Sequence, residues 1–188
     1  LDGVSITPEE VYNRLPREIP KTSLPSAEAI LYTLQEIRES GVETLFIITI
    51  SSALSGTFNL MRLTSHDVPE LDCRLIDTKN IGIGAGFTVM RAAEMIDAGA
   101  SADEIEAALC CLVKSTKVFF CLPTLEYLAK GGRIGRVTAT VGSLLDVRPI
   151  ISCNEEGVYY TVQKARGAVR ALAAALQNAA DYAKGHAY

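Results

Sequence analysis

Residues 45–57 read LFIITISSALSGT and join an apolar run to a hydroxyl-rich segment. The run at 45–50 lacks the polar alternation of a strand that has one face in water. Such a run is typical of a strand that is covered on both faces, as in a parallel sheet. A helix is predicted to follow over residues 56–64. We therefore expect a strand, loop and helix that belong to a layered α/β domain.

Helices and strands alternate around this unit. Thr7, Ser26 and Ser101 are each predicted to cap a helix, because a hydroxyl at that position accepts a hydrogen bond from the first helical turn. Gly41 is predicted to end the second helix. The predicted helices cover residues 8–15, 26–41, 84–98 and 102–113, and a second strand covers 73–77. This order predicts a Rossmann-like α/β domain with a parallel sheet over residues 1–115.

The pattern changes after Lys117. The sequence predicts a strand at 118–122, a short helix at 124–129, a helix at 134–145 and an alanine-rich helix at 166–184. Two further strands, at 148–153 and 158–162, flank the turn NEEG at 154–157, which is typical of an antiparallel hairpin. We therefore predict a second, α+β domain with antiparallel strands over residues 116–188.

The composition argues against several classes of protein. The chain has 188 residues, a net charge of -4 and a pI of about 5.3. A nucleic-acid binder is disfavoured, because phosphate recognition requires clustered lysine and arginine. No apolar run is long enough to cross a bilayer, and no signal peptide is evident. The five cysteines have no CxxC spacing and the chain has only two histidines, so we predict no metal site. We interpret the cysteines as free, buried thiols of a cytoplasmic protein.

The first hydroxyl loop is TSLPS, residues 22–26. Ser26 is explained by its role as a helix N-cap. Thr22 and Ser23 have two open interpretations: they satisfy the backbone of the loop, or they bind an anion beside the helix N-terminus.

The second hydroxyl loop is SSALSGT, residues 51–57, at the carboxyl end of the buried strand, where ligands of open α/β sheets bind. Ser55 or Thr57 is expected to cap the next helix, but the loop holds more hydroxyls than one cap requires. Together with Ser52 and the small Gly56, they suit a carboxylate or a phosphate. A serine nucleophile is disfavoured because the chain has no GxSxG elbow and few histidines to act as base.

Two further segments remain ambiguous. The basic turn KGGRIGR, residues 130–136, is neither a Walker loop nor a strand-linked GxGxxG. A solvated turn is the favoured interpretation, with anion binding or partner docking as the alternative. The segment DTKN, residues 77–80, could line a cleft at the end of its strand.

Taken together, these motifs resemble those of the DegV family. The matching segments, in the order of the family, are TSLPS (22–26), SSALSGT (51–57), LIDT (75–78), TLEYL (124–128) with KGGRI (130–134), and GSLL (142–145) with RPI (148–150). They span nearly the whole chain, and their joint occurrence is specific although each one alone is not. The family normally opens with a strand carrying TDSxxDL and continues well beyond this C-terminus, so we expect the first strand to be absent and the second domain to be partial.

The resemblance implies a two-domain bacterial protein that binds a long-chain fatty acid between its domains and uses no other cofactor. It implies that Thr22 and Ser55 bind the carboxylate. The remaining ligand-binding residues that it suggests are Ser23, Ser52, Gly56 and Thr57. Such a protein is a lipid carrier, not an enzyme. Some members present the acid to a separate ATP-dependent fatty acid kinase subunit, and Arg133 is then the candidate contact with that partner or with the anion.

Two alternatives to the carrier remain open from the residues. One is an enzyme acting on a small carboxylated or phosphorylated metabolite, with Ser55 and Arg133 binding the anion. The other is a regulatory module that docks another protein through residues 130–136.

Overall fold

The computed structural model describes residues 5–19, 21–137 and 146–185. The first group of elements is α1 (Pro8–Arg14), α2 (Ala27–Glu39), β1 (Thr44–Thr49), α3 (Thr57–Ser65), β2 (Asp72–Asp77), α4 (Gly82–Asp97) and α5 (Ala102–Ser115). The second group is β3 (Phe120–Cys121), α6 (Glu126–Lys130), β4 (Val147–Cys153), β5 (Tyr159–Arg166) and α7 (Ala168–Gly185). All elements of the first group were predicted from the sequence within a few residues of their ends.

Strands β1 and β2 pair in parallel, from Thr44 opposite Asp72 to Thr49 opposite Asp77. Side chains of a strand alternate between its two faces. On one face of β1, the side chains pack with α2 and α3, in a cluster that includes Ile30, Leu34, Leu45 and Ile47. On the other face they pack with α4 and α5, in a cluster that includes Phe46, Ile48, Ala92, Ile105 and Leu109. The expectation of a strand covered on both faces is therefore confirmed.

The predicted caps of α1, α2 and α5 are also confirmed. The Thr7 and Ser101 hydroxyls cap α1 and α5 in reciprocal capping boxes with a glutamate three residues on. The Ser26 Oγ accepts a hydrogen bond of 3.1 Å from the Ala29 N–H at the start of α2. Gly41 follows α2 with a left-handed φ of 87°, a conformation that favours glycine.

An antiparallel sheet of order β3-β4-β5 forms in the second part of the chain. The hairpin between β4 and β5 closes through a 3.0 Å hydrogen bond from the Asn154 N–H to the Val158 carbonyl, and Gly157 takes a φ of 80°. Helix α7 packs along this sheet. The mixed fold of one parallel and one antiparallel sheet agrees with the predicted class. The boundary near residue 115 stays a prediction.

Two expectations need correction. The first concerns the helix predicted over residues 134–145, of which residues 134–137 are not helical. Residues 138–145, which include the GSLL segment, lie outside the described residues. Gly135 has a φ of 57°, and the Arg136 N–H donates to the Tyr159 carbonyl at 2.8 Å, so long-range pairing with β5 overrides the local helical pattern. Predicted strand 118–122 shortens to the two residues of β3.

The cysteines are all free, but they are not all buried as expected. Cys153 is buried, whereas Cys110 and Cys111 are exposed. The reason is the orientation of α5, which turns Ile105 and Leu109 into the core and carries the next two residues to the surface.

Candidate functional site

The two hydroxyl loops lie at the same end of β1. Helix α3 begins shortly after β1 ends, so it starts at the carboxyl end of the strand. Helix α2 ends shortly before β1 begins and packs against the strand, so its first residues also lie at the carboxyl end. A direct contact joins the loops: Leu24 Cδ1 lies 3.1 Å from the position that a Cβ on Gly56 would occupy. Gly56 therefore permits the close approach of the first hydroxyl loop, and a larger residue there would push Leu24 away.

Within the first loop, Thr22 and Ser23 have exposed side chains. Neither hydroxyl has a hydrogen-bond partner among the residues that the structure describes, whereas Ser26 is engaged in capping α2. Thr22 and Ser23 are therefore both available to a ligand.

Within the second loop, Ser55 Oγ and Thr57 Oγ1 form a hydrogen bond of 2.8 Å. The Thr57 N–H donates to Ser55 Oγ at 3.3 Å. The expected cap is wrong: the N-cap of α3 is Gly56, which has no side chain to cap the first turn. The two half-buried hydroxyls thus bond each other beside the N-terminus of α3, where Ser55 accepts only the first N–H of the helix, an arrangement that suits an anion.

Ser52 faces a different neighbour. Its N–H donates to Asp77 Oδ1 at 3.1 Å, and its Oγ accepts from Lys79 Nζ at 3.4 Å. Lys79 Nζ also forms an ion pair of 2.7 Å with Asp77 Oδ2. Burial alone would raise the pKa of Asp77, but the hydrogen bonds from Lys79 and Ser52 together outweigh burial and hold that pKa below its ordinary value. The role of Ser52 as a ligand-binding residue stays a prediction.

Ser51 has a structural role that the sequence did not reveal. Its side chain is fully buried, and its Oγ donates a hydrogen bond of 2.9 Å to the carbonyl of Gly157 at the tip of the hairpin. This bond joins the second hydroxyl loop to the antiparallel sheet. It is a contact between residues 106 positions apart, so no local sequence signal could have predicted it.

Arg133 approaches the second hydroxyl loop from the basic turn. Its exposed guanidinium donates to the Gly131 carbonyl at 2.6 Å and reaches the Leu54 carbonyl at 3.5 Å through Nε. The turn therefore brings a cation to the rim of the loop. Its predicted role in contacting an anion or a partner is not tested by this geometry.

A cavity of about 800 Å³ lies where the carboxyl end of β2 meets α5, α7 and the hairpin. Asp77, Lys79 and Asn80 line it, as expected for a cleft at the end of this strand, together with Lys114 and Lys117. Neither hydroxyl loop contributes to its walls. The cavity is therefore distinct from the meeting point of the two loops.

Comparisons with known proteins identify the family of the chain. The model of a family described as uncharacterised DegV proteins matches residues 1–188. The chain belongs to the DegV family. A DegV domain-containing protein of Clostridium acetobutylicum is 42% identical over 172 residues, which cover 92% of this chain and 61% of that protein.

Solved structures of fatty-acid-binding proteins have the same fold. A stearic-acid-binding protein from Eubacterium ventriosum superposes with a TM-score of 0.87 and 29% identity, over 99% of this chain and 65% of that one. A fatty-acid-binding DegV protein from Thermus thermophilus superposes with a TM-score of 0.85 and 31% identity, over 96% of this chain and 64% of that one. The chain thus spans less than two thirds of these relatives. Among residues 5–19, 21–137 and 146–185, no helix is long and apolar enough to cross a membrane.

Proposed function

We propose that this protein binds a long-chain fatty acid and holds its carboxylate on the two hydroxyl loops, chiefly through Thr22 and Ser55. The observation that carries the proposal is the contact of Leu24 with Gly56, which brings the loops together. Ser23, Gly56 and Thr57 complete the carboxylate site. Fatty-acid binding by the protein of Eubacterium ventriosum and by the DegV protein of Thermus thermophilus supports the choice of ligand.

The chemistry of the loops suits a carboxylate attached to an apolar chain. Each buried CH₂ contributes about 0.8 kcal/mol, so a long acyl chain supplies most of the binding free energy. The head group then needs only enough donors to replace its water, because a buried carboxylate without hydrogen bonds is costly. The hydroxyls, together with the N–H groups that follow Thr57 in the first turn of α3, provide such donors without an ion pair.

The protein acts as a carrier without catalysis of its own. Ser55 is hydrogen-bonded to another hydroxyl, Thr57, and not to a base that could activate it. His66 is exposed at the end of α3, and His186 lies outside the described residues. A separate ATP-dependent fatty acid kinase subunit would receive the acid, with the exposed Arg133 at the rim of the site as its contact. The free thiols of Cys110 and Cys111 support a reducing, cytoplasmic location.

Affinity measurements on single variants test the carboxylate site. Thr22→Val and Ser55→Ala each remove a hydroxyl, and each should weaken palmitate binding roughly tenfold or more in calorimetric titration, because hydrogen bonds to charged groups are among the stronger ones. Ser101→Ala is the control: it removes the cap of α5, far from the loops in the chain, and should lower stability while leaving affinity unchanged. Wild-type affinity in both loop variants would refute the assigned site.

The role of Arg133 is tested separately. Arg133→Glu should leave palmitate affinity close to wild type but abolish acyl-phosphate formation when a fatty acid kinase subunit and ATP are added. Turnover of a small metabolite by the purified protein alone would instead favour an enzyme. Loss of palmitate binding in Arg133→Glu would place Arg133 in the carboxylate site.

A further inference from the structure

Thr49, the last residue of β1, has a buried hydroxyl without a partner. The residue is 8% exposed, and its Oγ1 forms no hydrogen bond within the described part of the chain. A hydroxyl in this state is unfavourable, because it has lost its water and gained nothing in return. Thr88 and Thr161 are in the same situation, on α4 and β5. Each such group in a folded protein calls for an explanation.

The direction of the Thr49 side chain explains its unpaired hydroxyl. The side chain of Thr49 lies on the same face of β1 as those of Leu45 and Ile47, because side chains alternate along a strand. Leu45 and Ile47 pack in the cluster with α2 and α3. Thr49 therefore faces the layer of these two helices. It also lies at the end of β1 where both helices begin. Its hydroxyl therefore lies on the side of the sheet, and at the end of the strand, at which the two hydroxyl loops lead into their helices.

Two other buried threonines, Thr64 and Thr78, satisfy their hydroxyls with the backbone. Thr78 Oγ1 donates to the Thr49 carbonyl at 2.8 Å, and Thr64 Oγ1 donates to the Leu60 carbonyl at 2.9 Å. The backbone of Thr49 is thus already engaged, while its own hydroxyl is not. Valine has nearly the same shape and would fill the position without burying an unpaired polar group. Of the three unpaired threonine hydroxyls in the described residues, only that of Thr49 belongs to the strand that leads into the second hydroxyl loop.

We propose that Thr49 Oγ1 donates a hydrogen bond to the carboxylate of the bound fatty acid, as a third hydroxyl on the floor of the site below Thr22 and Ser55. The inference rests on the proposed function. A carboxylate accepts several hydrogen bonds through its two oxygens, so a third donor adds to the first two without displacing either. Thr49 then selects for the free acid over an ester, because esterification removes the charge that strengthens each bond.

The test compares Thr49→Val with Thr88→Val by calorimetric titration with palmitate. Both substitutions remove a buried, unpaired hydroxyl and conserve volume, but Thr88 lies on α4, against the opposite face of β1. Thr49→Val should weaken palmitate binding roughly tenfold or more and reduce the preference for palmitate over methyl palmitate. Thr88→Val should bind palmitate as the wild type does. Without ligand, both variants should melt at or above the wild-type temperature.

Thr49→Ser serves as a second variant, since it keeps the hydroxyl in a smaller side chain. It should bind palmitate more tightly than Thr49→Val. The inference is overturned if the wild type binds palmitate, Ser55→Ala weakens that binding and Thr49→Val does not. It is equally overturned if Thr88→Val or Thr49→Ser loses as much affinity as Thr49→Val. A wild type that binds no palmitate would refute the proposed function itself, and this inference with it.

Discussion

Replacing Gly157 by alanine would place a methyl group inside the contact that joins the two sheets. A Cβ on Gly157 would lie 2.0 Å from Ser51 Oγ, 3.0 Å from Ser51 Cβ and 3.2 Å from Lys79 Cα. Gly157 also has a φ of 80°, in the left-handed region that L-residues with a side chain rarely adopt. The substitution therefore combines backbone strain with a steric clash against a buried hydroxyl.

Three contributions set the size of the effect. The left-handed conformation costs an alanine about 1–2 kcal/mol. Crowding of a packed interior costs about 1–3 kcal/mol, and loss of the hydrogen bond from Ser51 to the Gly157 carbonyl costs about 1 kcal/mol. We expect Gly157→Ala to lower the free energy of unfolding by roughly 3–6 kcal/mol. Gly41→Ala is the matched control, because Gly41 has a φ of 87° with no atom within 4 Å of the Cβ position, so only the backbone contribution applies.

Urea unfolding, followed by circular dichroism, measures both variants against the wild type. A double-mutant cycle with Ser51→Ala isolates the contact, because that substitution removes the oxygen at 2.0 Å and leaves the Cβ at 3.0 Å. Gly157→Ala should be less destabilising in the Ser51→Ala background. Equal losses of stability in Gly157→Ala and Gly41→Ala, with no coupling to Ser51, would refute the steric argument.

Three other substitutions or reactions probe the rest of the fold. Ionised Asp77 stabilises the fold, since its pKa in the folded protein lies below the ordinary value of 3.8. This contribution is complete above pH 3.8 and is lost as the pH falls through the lowered pKa of the folded state. Asp77→Asn should therefore reduce the dependence of the unfolding free energy on acid pH. Ser101→Ala should lower the unfolding free energy by about 1 kcal/mol in urea titration through loss of the α5 cap. Exposed Cys110 and Cys111 should react with a thiol reagent at mildly alkaline pH well before Cys153, whose pKa burial raises to about 11.

Local signals in the sequence were sufficient for most elements of the fold. The continuous apolar run predicted β1, and Ser26 and Ser101 identified the starts of two helices, because capping depends on residues only three positions apart. Gly135 and Arg136 were assigned wrongly to a helix, since their conformation depends on pairing with a strand more than twenty residues later. Where distant backbone competes with a local pattern, the distant pairing decides.

The candidate site was predictable in part for the same reason. The position of each hydroxyl loop followed from the strand and helix beside it. The contact of Leu24 with Gly56 and the hydrogen bond from Ser51 to Gly157 could not be predicted, because both depend on how separate elements pack. The unpaired hydroxyl of Thr49 is also invisible in sequence, where threonine at the end of a strand needs no explanation.

Fatty-acid occupancy of the purified protein can be measured directly. The protein would be extracted with organic solvent after gel filtration, and the extract would be analysed by mass spectrometry, with Ser55→Ala prepared in parallel. We expect about one equivalent of a long-chain acid in the wild type and less in Ser55→Ala, because the acid is held through its carboxylate. A wild-type protein that carries no fatty acid, and that fails to bind added palmitate or oleate, would contradict fatty-acid binding altogether.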